Sequence, residues 1–551
     1  MYIRKKYSKN TNKTAVQICS TQRIGTKVQQ KVVRHVGNAQ NENELPRLLE
    51  LAEFIKLSIE NEHNQSMFSD EYLVETITQA RRKSMESTEG TEEAKVKIKN
   101  LREESRIITG IQELYGKVYE EIGFNKIFGK RHQASMKNLF HTVMARIADP
   151  LSKRASVEKL SSEYGVHLKL QSVYEMMDQL DEDKIEKIRY VTATTIQGMM
   201  KEKVDVLFYD CTTLYFESFT EDGFKTLGYS KDHKFNQSQV LLSLIVGREG
   251  LPIGYEVYPG SQYEGITVID AIESIQKRYE INRVILVADS GMVNAKNMAE
   301  LDKRGIHYIL GARIKNMTDK IKKEILTIER NEEQSVSIKE IAVSSKRRLI
   351  VSYKPERARK DKHDRDKWVE KLKKKLIKSK NPKSLLSNFG YKSILAVSEG
   401  SNLSIDEEKL NKLEQWDGLH GIITNDELIT PEEVMSQYAL LWQIEACFRV
   451  SKHDLRIRPI YHWSERRIRA HIAICFMALV CVRYFCYRVK VQYKSVSAEE
   501  IRRELKRVQV SVVKDIETEK KYCIPSNSST LAKKLYHIVG LKLNDIPFNL
   551  K

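Results

Sequence analysis

The chain has 551 residues with 93 Lys and Arg against 74 Asp and Glu, a formal net charge of +19, and this balance points to a polyanionic partner, nucleic acid before membrane. Its length exceeds what a single hydrophobic core serves, so about three or four domains are expected. Only 24 Gly and 10 Pro are present, which argues against long disordered or fibrous segments and for a helix-rich fold.

The start, MYIRKKYSKN, holds no apolar segment and does not read as a secretory signal. Residues 1 to 36 hold nine Lys or Arg and no Asp or Glu. Two runs there, TAVQICS and QKVVRHVG, alternate polar and apolar around a turn near Gly25, and so predict a basic β-hairpin. ENELPRLLELAEFIKLSIENE then takes up helical spacing. From about residue 95 to 200 the pattern stays helical through IQELYGKVYEEIGF, SMKNLFHTVMARIA, VEKLSSEYG and VYEMMDQLDEDKIEKI. An all-helical basic module suits DNA binding.

At residue 204 the pattern changes to strands: VDVLFYD, then TTLYFES, then QVLLSLIV and PIGYEVYPG about a GREGL turn. A helix (VIDAIESIQKRY), a strand (RVILVAD), a helix (NAKNMAELDKRG) and a strand (HYILGAR) follow. Strands alternating with helices imply a mixed α/β sheet, and this order is that of a ribonuclease H-like fold. Between about 314 and 420 the pattern breaks into short strands, a Lys-rich helix (DKWVEKLKKKLIKSK) and a further strand (YKSILAV), an insertion with sixteen basic against five acidic residues over 346 to 380. Thr430, Pro431 and Glu433 then form a capping-box start for a helix expected to run through YALLWQIEACFRVSKHD. The apolar stretch HIAICFMALVCVRYFCYRV (471 to 489) is interrupted by Arg483 and Arg488, so it reads as a buried core helix and not a membrane span. The tail from about 496 should be small helices.

These breaks divide the chain into a basic hairpin and first helix (1–60), a helical DNA-binding region (61–200), an α/β core in two parts (201–313 and 421–490) around the insertion (314–420), and a helical tail (491–551). Seven cysteines (Cys19, Cys211, Cys447, Cys475, Cys481, Cys486, Cys523) show no CxxC spacing and fit reduced, buried thiols in a cytosol.

Three acids stand out. Asp210 ends the apolar run VLFYD and Asp289 ends VILVAD, and in an open α/β sheet neighbouring strand ends are where ligand sites lie. Glu445 sits in a helix whose inward face is otherwise apolar (Leu441, Ile444, Phe448), where a carboxylate needs a cation. Acids from separate elements that converge are what two-metal phosphodiester chemistry requires, with its metals about 4 Å apart. Taken singly, each also reads as a turn former or helix cap. Glu217, seven residues past Asp210, is a fourth candidate.

At these residues the chain resembles insertion-sequence transposases of the DDE class, in the group named after insertion sequence four. DVLFYDCTTLYFES is similar to that family's first-Asp strand, VADSGMVNAKNMAEL to its second-Asp strand and helix, and YALLWQIEACFRVSKHDLRIRPIYHW to its Glu helix. The family's signature there is Tyr, Arg, Glu and Lys; this chain has Tyr438, Leu441, Glu445 and Lys452 at those spacings. The Arg is replaced by Leu441, and Arg449, one turn past Glu445, is the candidate substitute.

The resemblance implies a DNA transposase with Mg²⁺ or Mn²⁺ held by Asp210, Asp289 and Glu445. It implies a DNA phosphate on Lys452, and Tyr438 at the transposon end. Cut-and-paste transfer of double-stranded DNA would follow, with terminal inverted repeats recognised by the N-terminal region and a homodimer assembled on DNA. No ATP-binding loop is found. In relatives the insertion uses a Trp to hold a flipped base during hairpin formation; Trp368 and Trp416 are the residues available, and a plain core or surface Trp is the simpler reading of both. Two other readings keep the sequence features: a ribonuclease H-like nuclease, and a catalytically silent DNA-binding protein derived from a transposase. A zinc protein is the weakest, since His462 and His471 are taken as too far apart and no Cys pair accompanies them.

Overall fold

The computed structural model describes residues 1–8, 13–24, 27–39, 44–61, 73–86, 96–199, 206–217, 220–228, 236–262, 264–278, 285–292, 294–330, 336–378, 394–397, 403–543 and 545–550. Contacts divide the chain into two compact units, one of residues 1–263, 270–281 and 443–551, the other of 264–269 and 282–442.

In the first unit the basic N-terminus forms three antiparallel strands, not two. Lys13–Ile24 pairs with Lys27–Ala39 as the sequence implies, and Tyr2–Ser8 adds to the outer edge of Lys13–Ile24; the expected turn at Gly25 lies outside the described residues. Helix Glu44–Asn61 follows. The stretch 95 to 200 departs from an all-helical reading at one place: Leu101–Ile108 is a strand, paired antiparallel with Gln509–Asp515 near the other end of the chain. LREESRII has no clean alternation, so only a partner some 400 positions away makes it a strand. The tail is accordingly not helical alone. Helices Ala498–Lys506 and Thr530–Ile538 accompany a four-stranded sheet of Phe548–Leu550, Lys521–Pro525, Gln509–Asp515 and Leu101–Ile108.

The apolar helix Glu465–Gln492 meets the length and composition of a membrane span, yet 83% of its most apolar window is buried within the protein. It packs against helices Gly110–Ile122, Gln133–Ala148, Leu170–Gln179 and Glu182–Met199, as a core helix should when its arginines have partners. Arg483 donates to the Gly250 carbonyl at 2.9 Å, and the fully buried Arg488 pairs with Glu121. All seven cysteines are free thiols, six of them buried.

The strand runs read from residue 204 onward form three strands, Val206–Tyr215, Gln239–Gly247 and Pro252–Pro259, an antiparallel meander. VDVLFYD and TTLYFES are not two strands. Val206–Tyr215 is continuous because nothing in FYDCTT forms a turn and Gln239–Gly247 supplies ladder partners along its whole length. Asp210 therefore lies inside a strand, opposite Leu244, and not at its end.

In the second unit Ile285–Ala288 runs parallel to His307–Ala312. Leu419–Thr424, Arg347–Tyr353 and Ser337–Ser344 add antiparallel in turn, so the sheet is mixed. With helices Glu264–Arg278 and Ala295–Lys303 between the strands, the chain has the order of the ribonuclease H-like α/β fold. The insertion contributes strands to this sheet and holds a separate small core of Val369, Leu372, Ile394 and Leu395 beneath the Lys-rich helix Pro355–Lys378.

Candidate active site

Ile285–Ala288 is wholly buried, and the chain leaves the sheet at Asp289, which is exposed. A short 3₁₀ turn, Ser290–Met292, begins there, and the Ser290 amide donates to Asp289 Oδ1 at 2.6 Å. From the facing helix the Tyr438 hydroxyl donates to the same oxygen at 3.5 Å. That helix, Pro431–Ala439, starts as the sequence predicts: the Thr430 hydroxyl accepts from the Glu433 amide at 3.2 Å and the Glu433 carboxylate from the Thr430 amide at 2.9 Å. A cap of this kind stabilises a helix by roughly 1 kcal/mol and fixes where Tyr438 falls.

Two contributors went unread in the sequence. A Cβ at Gly311 would stand 2.5 Å from the Tyr438 hydroxyl and 3.0 Å from the Ser290 amide, so only glycine lets both reach Asp289. A glycine inside the strand run HYILGAR was the available signal, since it marks close approach of another group. His420 packs its ring 5.1 Å from that of Tyr438. Burial, then Arg357 and Lys354, push its pKa down to about 4, against the opposing pull of Asp289. It is therefore neutral at physiological pH beside the carboxylate.

Trp368 and Trp416 line one cavity of about 630 Å³ with Ser290, Lys315, Arg357 and His420. Each also packs on a hydrophobic cluster of its own, Trp368 on the small core of the insertion and Trp416 on that around Leu349. The plain core reading and a place beside the Asp289 turn thus hold together.

In the first unit Asp210 is half-buried and accepts from the Cys211 amide at 2.8 Å. The helix expected to run from Thr430 to Asp454 is broken. It ends at Ala439, turns through Leu440 and Leu441, resumes as Trp442–Arg449 and finishes in a π-helical turn, Val450–Asp454. Sequence periodicity reads through the break because both pieces are apolar on one face, and tertiary contacts decide where each piece points.

On the second piece Ile444, Cys447 and Phe448 are buried, whereas Glu445, expected among them on the inward face, is exposed, as is Arg449 one turn on. Lys452 is half-buried on the π-helical turn. Leu441, at the position of the family's Arg, lies in the break itself. Glu217 is exposed just past the strand that carries Asp210.

Within each unit, Tyr438 is brought to Asp289, and Arg449 follows Glu445 on one helical face. Among the described residues no group of three or more His, Cys, Asp or Glu side chains is gathered closely enough to hold a metal ion. His462 and His471, nine positions apart and expected to be too far apart to act together, have rings 5.4 Å from each other.

Residues 202–481 match the family described as Transposase DDE domain, just over half of the chain. No curated protein matches. Among solved structures the chain is similar to a piggyBac transposase synaptic complex with hairpin DNA, at 10% identity over 72% of this chain and 76% of that one, with a TM-score of 0.37. It is also similar to a Mos1 transposase paired-end complex with left transposon end, at 15% identity over 29% and 54%, with a TM-score of 0.15. A Mos1 mariner paired-end complex with Mn gives 12% identity over 49% and 78%, with a TM-score of 0.14. With the DDE domain matched over half of its length, the chain belongs to the family of DDE transposases.

Proposed function

We propose that this transposase cleaves DNA at the ends of its element and joins the released 3′-hydroxyl ends to target DNA, with Asp210, Asp289 and Glu445 as its catalytic carboxylates. The observation that carries this reading is the position of all three acids, in the family's order, within the matched domain at 202–481. Tyr209, Cys211, Ala288, Ile444 and Ala446 beside them are buried, while Asp289 and Glu445 are exposed and Asp210 is half-buried.

Carboxylate oxygens are donors of the kind Mg²⁺ and Mn²⁺ prefer, so the three residues suit the expected divalent cations in their donor chemistry, and sharing one would require them to be drawn closer together than the described side chains are. A cation bound there supplies activation of the attacking oxygen and stabilisation of the leaving one. The chain's own groups orient the acids: the Ser290 amide and the Tyr438 hydroxyl hold Oδ1 of Asp289, leaving its other oxygen for a ligand. Arg449 and Lys452 hold backbone phosphates in this reading, and Tyr438 sits at the transposon end. The basic N-terminal strands and the helical region recognise the terminal inverted repeats. The Lys-rich helix of the insertion clamps flanking DNA through its phosphates, and pairing two ends requires a homodimer on DNA.

The test is a labelled duplex carrying the element's terminal repeat, incubated with a target plasmid and Mg²⁺ or Mn²⁺. Joined products are expected. Cleavage without joining would indicate a simple nuclease, and binding without cleavage a silent DNA-binding protein.

A further inference from the structure

In the first unit the helix Lys153–Tyr164 begins at a cavity of about 410 Å³. Arg146, Lys153, Arg456, Arg458, His462 and His471 line it, and among its described lining residues none is acidic. Arg146 and Lys153 are each only 6% exposed and His471 5%. Buried cations are ordinarily paired with a carboxylate. Here the partners among the described residues are neutral: Arg146 reaches the Leu455 and Arg456 carbonyls, at 3.4 and 3.5 Å. The His471 Nε2–H donates to the Ile457 carbonyl at 3.0 Å, which leaves Nδ1 as a lone-pair acceptor 3.3 Å from Lys153 Nζ.

Asp178, whose charge reaches His462, is already held in a two-point bridge by Arg467, both contacts at 2.7 Å. Burial, and then the charge of Arg146, lower the Lys153 pKa to about 7, as expected where positive charges crowd without an anion. Two further features point into the same space. Ser152 caps the helix by accepting from the Ala155 amide at 3.2 Å, and by position the amides of Lys153 and Arg154 have no partner within the helix. Arg456 holds the left-handed backbone, φ 44°, a conformation costly for a long side chain and kept where surroundings impose it.

We propose that this cavity is a binding site for a phosphate group, held by Arg146, Lys153 and Arg456 at the start of the helix Lys153–Tyr164. The phosphate would be either a diester of a nucleic-acid strand or a free or terminal monoester. Tyr461, 65% exposed at the cavity's rim, offers a face on which an attached base can stack. The buried charge of Arg146 and Lys153, which no described carboxylate offsets, costs stability on its own and becomes a favourable partner for the anion.

The experiment is thermal unfolding of the full chain against inorganic phosphate, at ionic strength held constant with chloride, for the wild type, Lys153→Met and Arg456→Gly. The wild-type midpoint should rise saturably with phosphate. Lys153→Met should raise the midpoint without phosphate, because a buried charge is gone, and should lose the phosphate-dependent rise. Arg456→Gly accepts the left-handed backbone freely, so it keeps the fold and should lose part of that rise even if Lys153→Met does not fold.

A second arm adds single-stranded oligodeoxynucleotides with and without a 5′-phosphate as competitors. Competition by both supports the backbone diester, and competition by the 5′-phosphorylated strand alone supports the monoester. A wild type with no rise beyond chloride, or variants with the wild-type rise, would overturn the assignment. The readout involves no DNA cleavage, so it fails or succeeds independently of the transposase reaction.

Discussion

Gly311 makes room for Tyr438: a Cβ on residue 311 would lie 2.5 Å from the tyrosine hydroxyl, well inside contact distance, and 3.0 Å from the Ser290 amide. Both groups hold Oδ1 of Asp289. The smallest residue in the strand His307–Ala312 thereby sets the orientation of a carboxylate two elements away.

Gly311→Ala should therefore damage catalysis more than stability. Displacing reacting groups by about 1 Å can cost on the order of 100-fold in rate, and we expect a loss approaching that in cleavage with only a small change in melting temperature. Tyr438→Phe removes the atom in closest conflict, so Gly311→Ala combined with Tyr438→Phe should lose less than the two single losses together. Additive losses would show that the close approach has no bearing on the site.

Acid stability should be governed by buried neutral histidines. Burial, helped by Lys137, lowers the pKa of His141 to about 3. Burial lowers His462 to about 3 and His420 to about 4. The folded values lie below the unfolded 6.5, so the unfolded chain binds more protons as pH falls. Stability is then complete above about pH 6.5 and declines from there toward pH 3, the fully buried His141 alone contributing a loss on the order of a few kcal/mol by pH 4. Denaturant titrations at pH 7.5 and 4.5 on wild type and His141→Leu check this: the variant should lose less between the two, and an equal loss would remove His141 from the account.

Glu113 ties three segments together. Its carboxylate accepts from Arg81 Nη1, 2.9 Å from both oxygens, and from the Tyr536 hydroxyl at 2.6 Å. Arg81 is 4% exposed, so Glu113→Ala strands a buried cation and should cost roughly 3–5 kcal/mol. Tyr536→Phe removes one hydrogen bond and should cost about 1–2 kcal/mol. Urea unfolding midpoints that place the two losses in the opposite order would contradict this pairing.

The two ends of the first unit should be inseparable. Residues 509–551 supply the strand that pairs with Leu101–Ile108 as well as Tyr536. A chain ending at residue 508 should lose cooperative unfolding, and a truncated protein that melts like the full chain would show that the terminal sheet is dispensable.

What the sequence carried was local: the box of Thr430 and Glu433, the buried strand before Asp289, the core reading of the helix around Arg483 and Arg488. Each depends on residues within a few positions of one another. What it could not carry was set by partners far along the chain. LREESRII is a strand only because Gln509–Asp515 lies beside it. Asp210 is internal to its strand because Gln239–Gly247 extends past it. The break at Leu440 and Leu441 is hidden because the apolar spacing continues across it. The meeting of Tyr438 with Asp289 spans 149 positions, and its one local trace was the glycine at 311.

The most direct test of the catalytic assignment compares Asp210→Asn, Asp289→Asn and Glu445→Gln with the wild type on one labelled terminal-repeat duplex, measuring binding and cleavage with Mg²⁺ or Mn²⁺. The account predicts that each variant binds the duplex as the wild type does and releases no 3′-hydroxyl end. Cleavage at the wild-type rate by any one of the three would contradict it.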